Sequence, residues 1–238
     1  MCGGVIVQFC VVTYPGSNCD RDCYYVIGEV LAEPVRYLRH WAEHVPRGTS
    51  CVVLPGGFSY GDYLRPGAIA ARMPVTGAIE DFAAGGGLVL GICNGFQILC
   101  EAGLLPGSLI VNDHLAFSCL PVHVRVEGDP SPFTHSLKQG EVLRMPIAHR
   151  DGNYRPPSDG AQPQVALRYC SPAGELGEDY NPNGSQYSTA AITNERGNVM
   201  GMMPHPERCA ESILGGEDGM RVLQSAVDWW KEVGSYGI

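Results

Sequence analysis

Positive charge is what this sequence most lacks: 16 Lys and Arg face 25 Asp and Glu, a formal charge of −9 over 238 residues. A general nucleic-acid binder needs a basic face to neutralise phosphates, so that class is excluded, a local basic patch apart. Long apolar runs are missing as well, and none approaches the roughly 18 residues that a membrane helix needs. The apolar opening Met1–Tyr14 has no positive n-region and no small-residue cleavage site. Without an export signal the chain is expected in the cytoplasm. Neither GxxxxGK[ST] nor GxGxxG occurs, so no nucleotide site is expected, and no HExxH or comparable spacing suggests a metal.

Disulfides are not expected either. There are ten cysteines, but no CxxC pair, and the chain is neither small nor marked for export. Cys19 and Cys23 lie four apart with no matching His or Cys pair downstream. Nine of the ten read as buried apolar thiols; Cys93 stands apart for reasons given below. What is present is the balance of a globular protein, with 45% hydrophobic and 17% charged residues and ample length for a core.

The first half alternates short β-branched runs with amphipathic stretches. Gly4–Val12, with Val5, Ile6, Val7 and Phe9 among its apolar residues, predicts a buried first strand. Ser17 or Asn18 is placed to cap a helix through Tyr25, Val26 and Val30. Strands are expected near Val35–Leu38, at Cys51–Leu54 and at Leu88–Leu90, with helices over Ile79–Ala84 and Asn94–Ala102, the latter stopped by Gly103. Strands alternating with helices imply a parallel sheet covered on both faces. The second half reads as antiparallel additions at Leu109–Val111, Leu120–Val126, Glu141–Ile147 and Val165–Tyr169, with further strands at Thr189–Ile192 and Val199–Met203. Gly152–Pro163 reads as a polar, mobile loop, and Gly219–Glu232 as a closing amphipathic helix. No repeat or linker divides the chain, so 1–238 is expected to form one domain.

The strongest local signal is Gly91-Ile92-Cys93-Asn94-Gly95, the G-x-nucleophile-x-G spacing of a strand-to-helix elbow. Such a turn strains the backbone at Cys93, and glycines on either side let the chain approach closely. It also sets the sulfur at a helix N-terminus, which favours negative charge, and aims the Asn94 N–H where an oxyanion would form. A base is offered by Met203-Pro204-His205-Pro206-Glu207-Arg208, after a predicted strand. Glu207, two residues on in an extended segment, points to the same side as His205 and suits holding an imidazole tautomer. Standing alone, that run equally suits a solvated loop. Leu54-Pro55-Gly56-Gly57-Phe58-Ser59-Tyr60-Gly61-Asp62 also follows a predicted strand, and Gly57 offers a second oxyanion donor; an ordinary glycine turn reads the same. In open α/β sheets, ligands bind beyond the carboxyl ends of the strands, where all three motifs fall.

With these motifs the chain resembles the class I, triad-type glutamine amidotransferases. The likeness runs almost end to end: Pro15–Asp20 (PGSNCD), Pro55–Asp62, Gly91–Gln97 and Gly197–Arg208 all match. The elbow and His205-Pro206-Glu207 mark the broad class; PGSNCD and GGFSYGDYLR narrow it to the glutaminase subunits of phosphoribosylformylglycinamidine synthases. The chain departs from that pattern at Pro66, where Cys is common, and at Arg150, where Gly is, leaving the parts played by His149 and Arg150 open.

The resemblance implies a flavodoxin-like open, mostly parallel sheet and a thioester mechanism. Cys93 would attack the glutamine side-chain amide, with His205 moving the proton and Glu207 orienting His205. The amides of Gly57 and Asn94 would form the oxyanion hole, and Gln97 would bind substrate, although an inward-facing helix residue explains Gln97 nearly as well. It further implies a separate ATP- and Mg-using synthetase subunit and a small bridging subunit as partners, with no cofactor on this chain. The rival readings are a glutaminase for another synthetase and a non-catalytic assembly subunit; the presence of Cys93, His205 and Glu207 argues against the second.

Overall fold

The computed structural model describes residues 6–158 and 163–234. Its centre is a nine-stranded sheet in the order β2-β1-β3-β4-β11-β10-β9-β6-β7. The parallel half holds β1 (Gln8–Thr13), β2 (Val35–Arg39), β3 (Thr49–Leu54), β4 (Leu88–Ile92) and β11 (Val199–Met202). Every residue of β3, β4 and β11 is buried, as expected of parallel strands covered on both faces. At the edge, β2 buries only Leu38 of its five residues.

The antiparallel half is β10 (Thr189–Thr193), β9 (Gln164–Cys170), β6 (Ser118–Val126) and β7 (Val142–His149). The short strands β5 (Ser108–Ile110) and β8 (Asn153–Arg155) form a separate two-stranded ladder. Among the described residues four α-helices accompany the sheet: α1 (Asp20–Tyr25), which runs on into a π turn at Val26–Val30, α2 (Pro74–Ala84), α3 (Asn94–Glu101) and α4 (Asp218–Gly234). The connections β1-α1-β2 and β3-α2-β4 run in opposite directions along the sheet. With right-handed crossovers, that reversal puts α1 and α2 on opposite faces. The reversal between β1 and β3 is the switch point at which such sheets open a ligand crevice.

The expected fold class is borne out, and the differences lie at element ends. Of the first strand, Gly4 and Val5 lie outside the described residues, and pairing begins at Gln8. No Ser17 or Asn18 side chain caps α1, whose N-terminal flank is Cys19. Pro74 opens α2 five residues before the expected start, because its missing N–H costs nothing in a first turn. Within Gly152–Pro163, expected to be a loop, Asn153–Arg155 pairs with Ser108–Ile110 instead. Tyr154 drives this: its ring is fully buried, stacked on Phe96 at 5.9 Å, and its hydroxyl donates to the Pro106 carbonyl at 3.0 Å. Residues 159–162 lie outside the described residues.

Candidate active site

The sheet register brings the motifs together. Leu54 of β3 lies opposite Gly91 of β4, and Ile92 of β4 opposite Met202 of β11. The segments after these three strands, carrying Gly57, Cys93 and His205, therefore leave the sheet side by side. The loop after β1 joins them through a bridge between Ser17 and Gly57.

Cys93 has φ +50° and ψ −103°, a conformation that non-glycine residues hold only when the surroundings impose it. Those surroundings are specific. The Cys93 amide donates to the Met202 carbonyl at 2.7 Å, clamping the turn to β11. A Cβ at Gly95 would lie 2.1 Å from the Leu54 carbonyl oxygen, and one at Gly91 would lie 2.7 Å from that of Gly95. Only glycines allow this approach of turn to strand. Asn94 is the first residue of α3, so its amide has no acceptor within the helix. The Cys93 sulfur sits 3.6 Å from the Ala148 carbonyl.

His205 is 1% exposed and Glu207 2%. Nδ1 of His205 donates to Oε1 of Glu207 at 2.6 Å, which fixes the imidazole tautomer and leaves Nε2 buried with no partner. The segment is not extended, as expected from the sequence, but a single 3-10 turn over Pro206–Arg208 with His205 at its N-terminal flank. The turn, rather than strand alternation, brings the carboxylate back onto the ring. Burial by itself would lower the His205 pKa; the Glu207 carboxylate, with Cys93 and Cys19 close by, outweighs it and raises it well above the ordinary imidazole value. Such a ring is suited to holding a proton taken from a neighbouring thiol.

These groups face a cavity of about 250 Å³ whose walls include Cys93, Gly57, Gln97, Asp62, His149 and His205. Gly57 has φ +137°, and a Cβ there would lie 2.7 Å from the Asn18 nitrogen, so the position admits glycine alone. Gln97 is 6% exposed. Its Oε1 accepts from Asn94 Nδ2 at 2.9 Å, and its Nε2 donates to the Asp151 carbonyl at 2.6 Å. Both ends of its amide thus hold the cavity wall. His149 is 3% exposed, with burial first and the charge of His205 second lowering its pKa to about 4. Arg150 also reaches the wall, so the segment whose part was left open lies at the cavity.

Four cavity residues were not expected from the sequence: Cys19, Cys119, Asp62 and Asp151. Cys19, one of the nine expected buried thiols, is 1% exposed but lines the cavity, where Arg208 Nη2 donates to its sulfur at 2.9 Å. Cys119 lines it too and is exposed. The PGSNCD motif carried a signal for Cys19; Cys119 had none. The buried-thiol reading holds for Cys10, Cys23, Cys51, Cys170 and Cys209, while Cys100 is half-buried and Cys2 lies outside the described residues; burial pushes up the pKa values of Cys10, Cys23, Cys51 and Cys170. Cys19, His205 and Glu207 are also close enough to share a metal ion, besides pairing His205 with Glu207 and Cys19 with Arg208.

Comparison with known proteins agrees with this geometry. Residues 7–229 match the model of the CobB/CobQ-like glutamine amidotransferase domain. A curated relative, the phosphoribosylformylglycinamidine synthase subunit PurQ of Moorella thermoacetica, is 54% identical over 94% of this chain and 97% of its own. The subunit of that name from Aquifex aeolicus is 51% identical over 92% and 98%. Among solved structures, PurLQS from Thermotoga maritima superposes with a TM-score of 0.84 at 44% identity, covering 94% of this chain and 99% of the matched one. A second glutamine amidotransferase from that organism, 18% identical with a TM-score of 0.58 over 95% and 83%, shares the fold.

Proposed function

Since the chain belongs to the CobB/CobQ-like glutamine amidotransferase family, we infer that it is the glutaminase subunit of a phosphoribosylformylglycinamidine synthase. It hydrolyses glutamine to glutamate and ammonia and passes the ammonia to the synthetase subunit of that complex, in purine biosynthesis. Relatives above 50% identity across nearly the whole of both chains bear that name. The observation that carries the chemistry is the His205–Glu207 pair, buried at the wall of the cavity that holds Cys93.

The sulfur of Cys93 attacks the side-chain amide carbon, and His205 takes the thiol proton and returns it to the leaving ammonia. The γ-glutamyl thioester is then hydrolysed by water with His205 as base. Glu207 keeps Nδ1 protonated so that Nε2 alone exchanges protons. The amides of Asn94 and Gly57 supply the oxyanion hole, each worth roughly 3 kcal/mol of barrier. Gln97 supports this site, its amide joining the α3 N-terminus to the Asp151 backbone, and the substrate meets its cavity face.

The wider assembly follows the same reading. ATP and Mg act on the synthetase subunit, a small subunit bridges the two, and this chain works as one domain without cofactor, metal or nucleic acid. Among the described residues no helix is long and apolar enough to cross a membrane, and a cytoplasmic place suits the reaction. The test is mass spectrometry of the assembled complex, acid-quenched while turning over glutamine. A γ-glutamyl adduct on Cys93 is expected; undiminished ammonia release with no adduct there would contradict the mechanism.

A further inference from the structure

Two carboxylates share the cavity with Cys93, and the mechanism uses neither. Asp62 ends the glycine-rich segment after β3, and Asp151 follows β7. A hydrogen-bond chain fixes their relative positions. Asn94 Nδ2 donates to Asp62 Oδ1 at 3.3 Å and to Gln97 Oε1 at 2.9 Å, and Gln97 Nε2 donates to the Asp151 carbonyl at 2.6 Å. The Ser59 amide donates to Asn94 Oδ1 at 3.1 Å, tying the same segment to the elbow. The Asp62 carboxylate and the Asp151 backbone are therefore held in register with the nucleophile, by side chains that are themselves buried.

Like charges facing one cavity disfavour each other, and burial adds to the cost. Among the described residues, the groups acting on Asp62 are Asp151 and the Asn94 amide, with no cation to offset it; burial first and Asp151 second raise its pKa to about 6. The nearest cation to Asp151 is Arg150, at 4.0 Å and with a side chain 62% exposed, too long and too wet a contact to neutralise the pair. The two carboxylates thus make one end of the cavity acidic, while His205 and Arg208 line another part of it. His149 lines the same cavity, and its Nδ1 is buried without a partner, as expected of a wall that a polar ligand completes.

We propose that Asp62 and Asp151 together receive the α-ammonium group of glutamine, orienting the substrate so that its side-chain amide reaches Cys93. The assignment rests on reading the cavity as a glutaminase site and specifies how that site tells an amino acid from a plain amide. The ammonium sits between the two carboxylates and relieves their repulsion. Selectivity follows: a γ-amide lacking the α-amine leaves the two acids facing each other unpaired. Because neither acid touches the scissile amide, their effect falls on substrate binding rather than on the bond-breaking step.

The test uses the assembled complex and two substrates, L-glutamine and glutaramate, which has the same γ-amide chain without the α-amine. Asp62→Asn and Asp151→Asn are compared with wild type; Asn keeps the oxygen that accepts from Asn94. For each variant the KM for glutamine should rise roughly ten- to a hundredfold, the range for losing a hydrogen bond to a charged group. The kcat should stay within about threefold, and the KM for glutaramate should hold or fall, so that the preference for glutamine collapses. Turnover of glutaramate also reports that each variant has folded around a working site. Equal losses on both substrates, or an unchanged preference, would overturn the assignment alone. A wild-type complex that releases no ammonia from glutamine would overturn the glutaminase reading with it.

Discussion

Nδ1 of His205 donates to Oε1 of Glu207 at 2.6 Å, with both side chains all but sealed from solvent. That contact decides the electrical state of the site. Burial alone would drive the imidazole neutral, and the carboxylate reverses the sign. In Glu207→Gln the amide still fills the space, but the charge is gone and burial is unopposed. We expect kcat to fall by about a hundred- to ten-thousandfold, with KM changed little. A kcat within threefold of wild type, measured as steady-state ammonia release by the complex, would remove Glu207 from the mechanism.

The Gly57 backbone is testable without touching a side chain. At φ +137°, with Asn18 and Ser17 backbone atoms within 3 Å of any Cβ, Gly57→Ala must displace the strand-end segment and turn its amide from the cavity. The loss of one oxyanion donor predicts a fall in kcat of roughly a hundred- to a thousandfold. Binding of an inert glutamine analogue, followed by calorimetry, should change much less. Equal losses in both would make Gly57 a packing residue.

His149 gives a stability signature. Its pKa in the folded chain, about 4, lies below the usual 6.5 because the ring is buried and faces His205. Between those values the unfolded chain binds the extra proton, so the contribution is present above pH 6.5 and lost as the pH falls towards 4. From pH 7 to pH 4.5 it amounts to about 2.5 kcal/mol. Denaturant unfolding of wild type and His149→Gln at the two pH values measures it as the difference that the substitution abolishes. An equal acid loss in both proteins contradicts it.

The synthetase should act on the glutaminase. Tyr60, Asp62 and Leu64 all hold positive φ beside the cavity, and Tyr63 and Leu64 are 74% and 89% exposed. A strained, apolar, solvent-facing segment next to Gly57 is poised to settle on a partner. The isolated chain is expected to be slow, with kcat/KM for ammonia release rising at least about tenfold in the complex. Equal rates alone and assembled would show that the coupling lies elsewhere.

Much of this was legible in the residues. The elbow at Cys93 is a local feature, written in Gly91 and Gly95, and the central strands β1, β3 and β4 show as short apolar, β-branched runs. The His205–Glu207 contact was legible as a pair but not as a geometry, because a proline-initiated 3-10 turn and a strand both place residues i and i+2 within reach. Strand β8 was hidden because Asn153-Tyr154-Arg155 is too short and polar to show a period; the burial of Tyr154 comes from distant residues, the Phe96 ring and Pro106 among them. Cys19, Asp62 and Asp151 come from three segments far apart in sequence, and only the parallel register of β1, β3 and β4 with the return of β7 makes them neighbours. No window of sequence carries that information.

Whether Cys93 makes the ammonia that the partner uses is decided by one comparison. In the assembled complex, synthesis is followed with glutamine and, separately, with ammonium salt as nitrogen donor, for wild type and Cys93→Ala. The variant is expected to lose glutamine-driven synthesis and ammonia release while ammonium-driven synthesis stays at the wild-type rate. Glutamine-driven synthesis that survives in Cys93→Ala would contradict it, and this chain would then be a scaffold rather than the source of the ammonia.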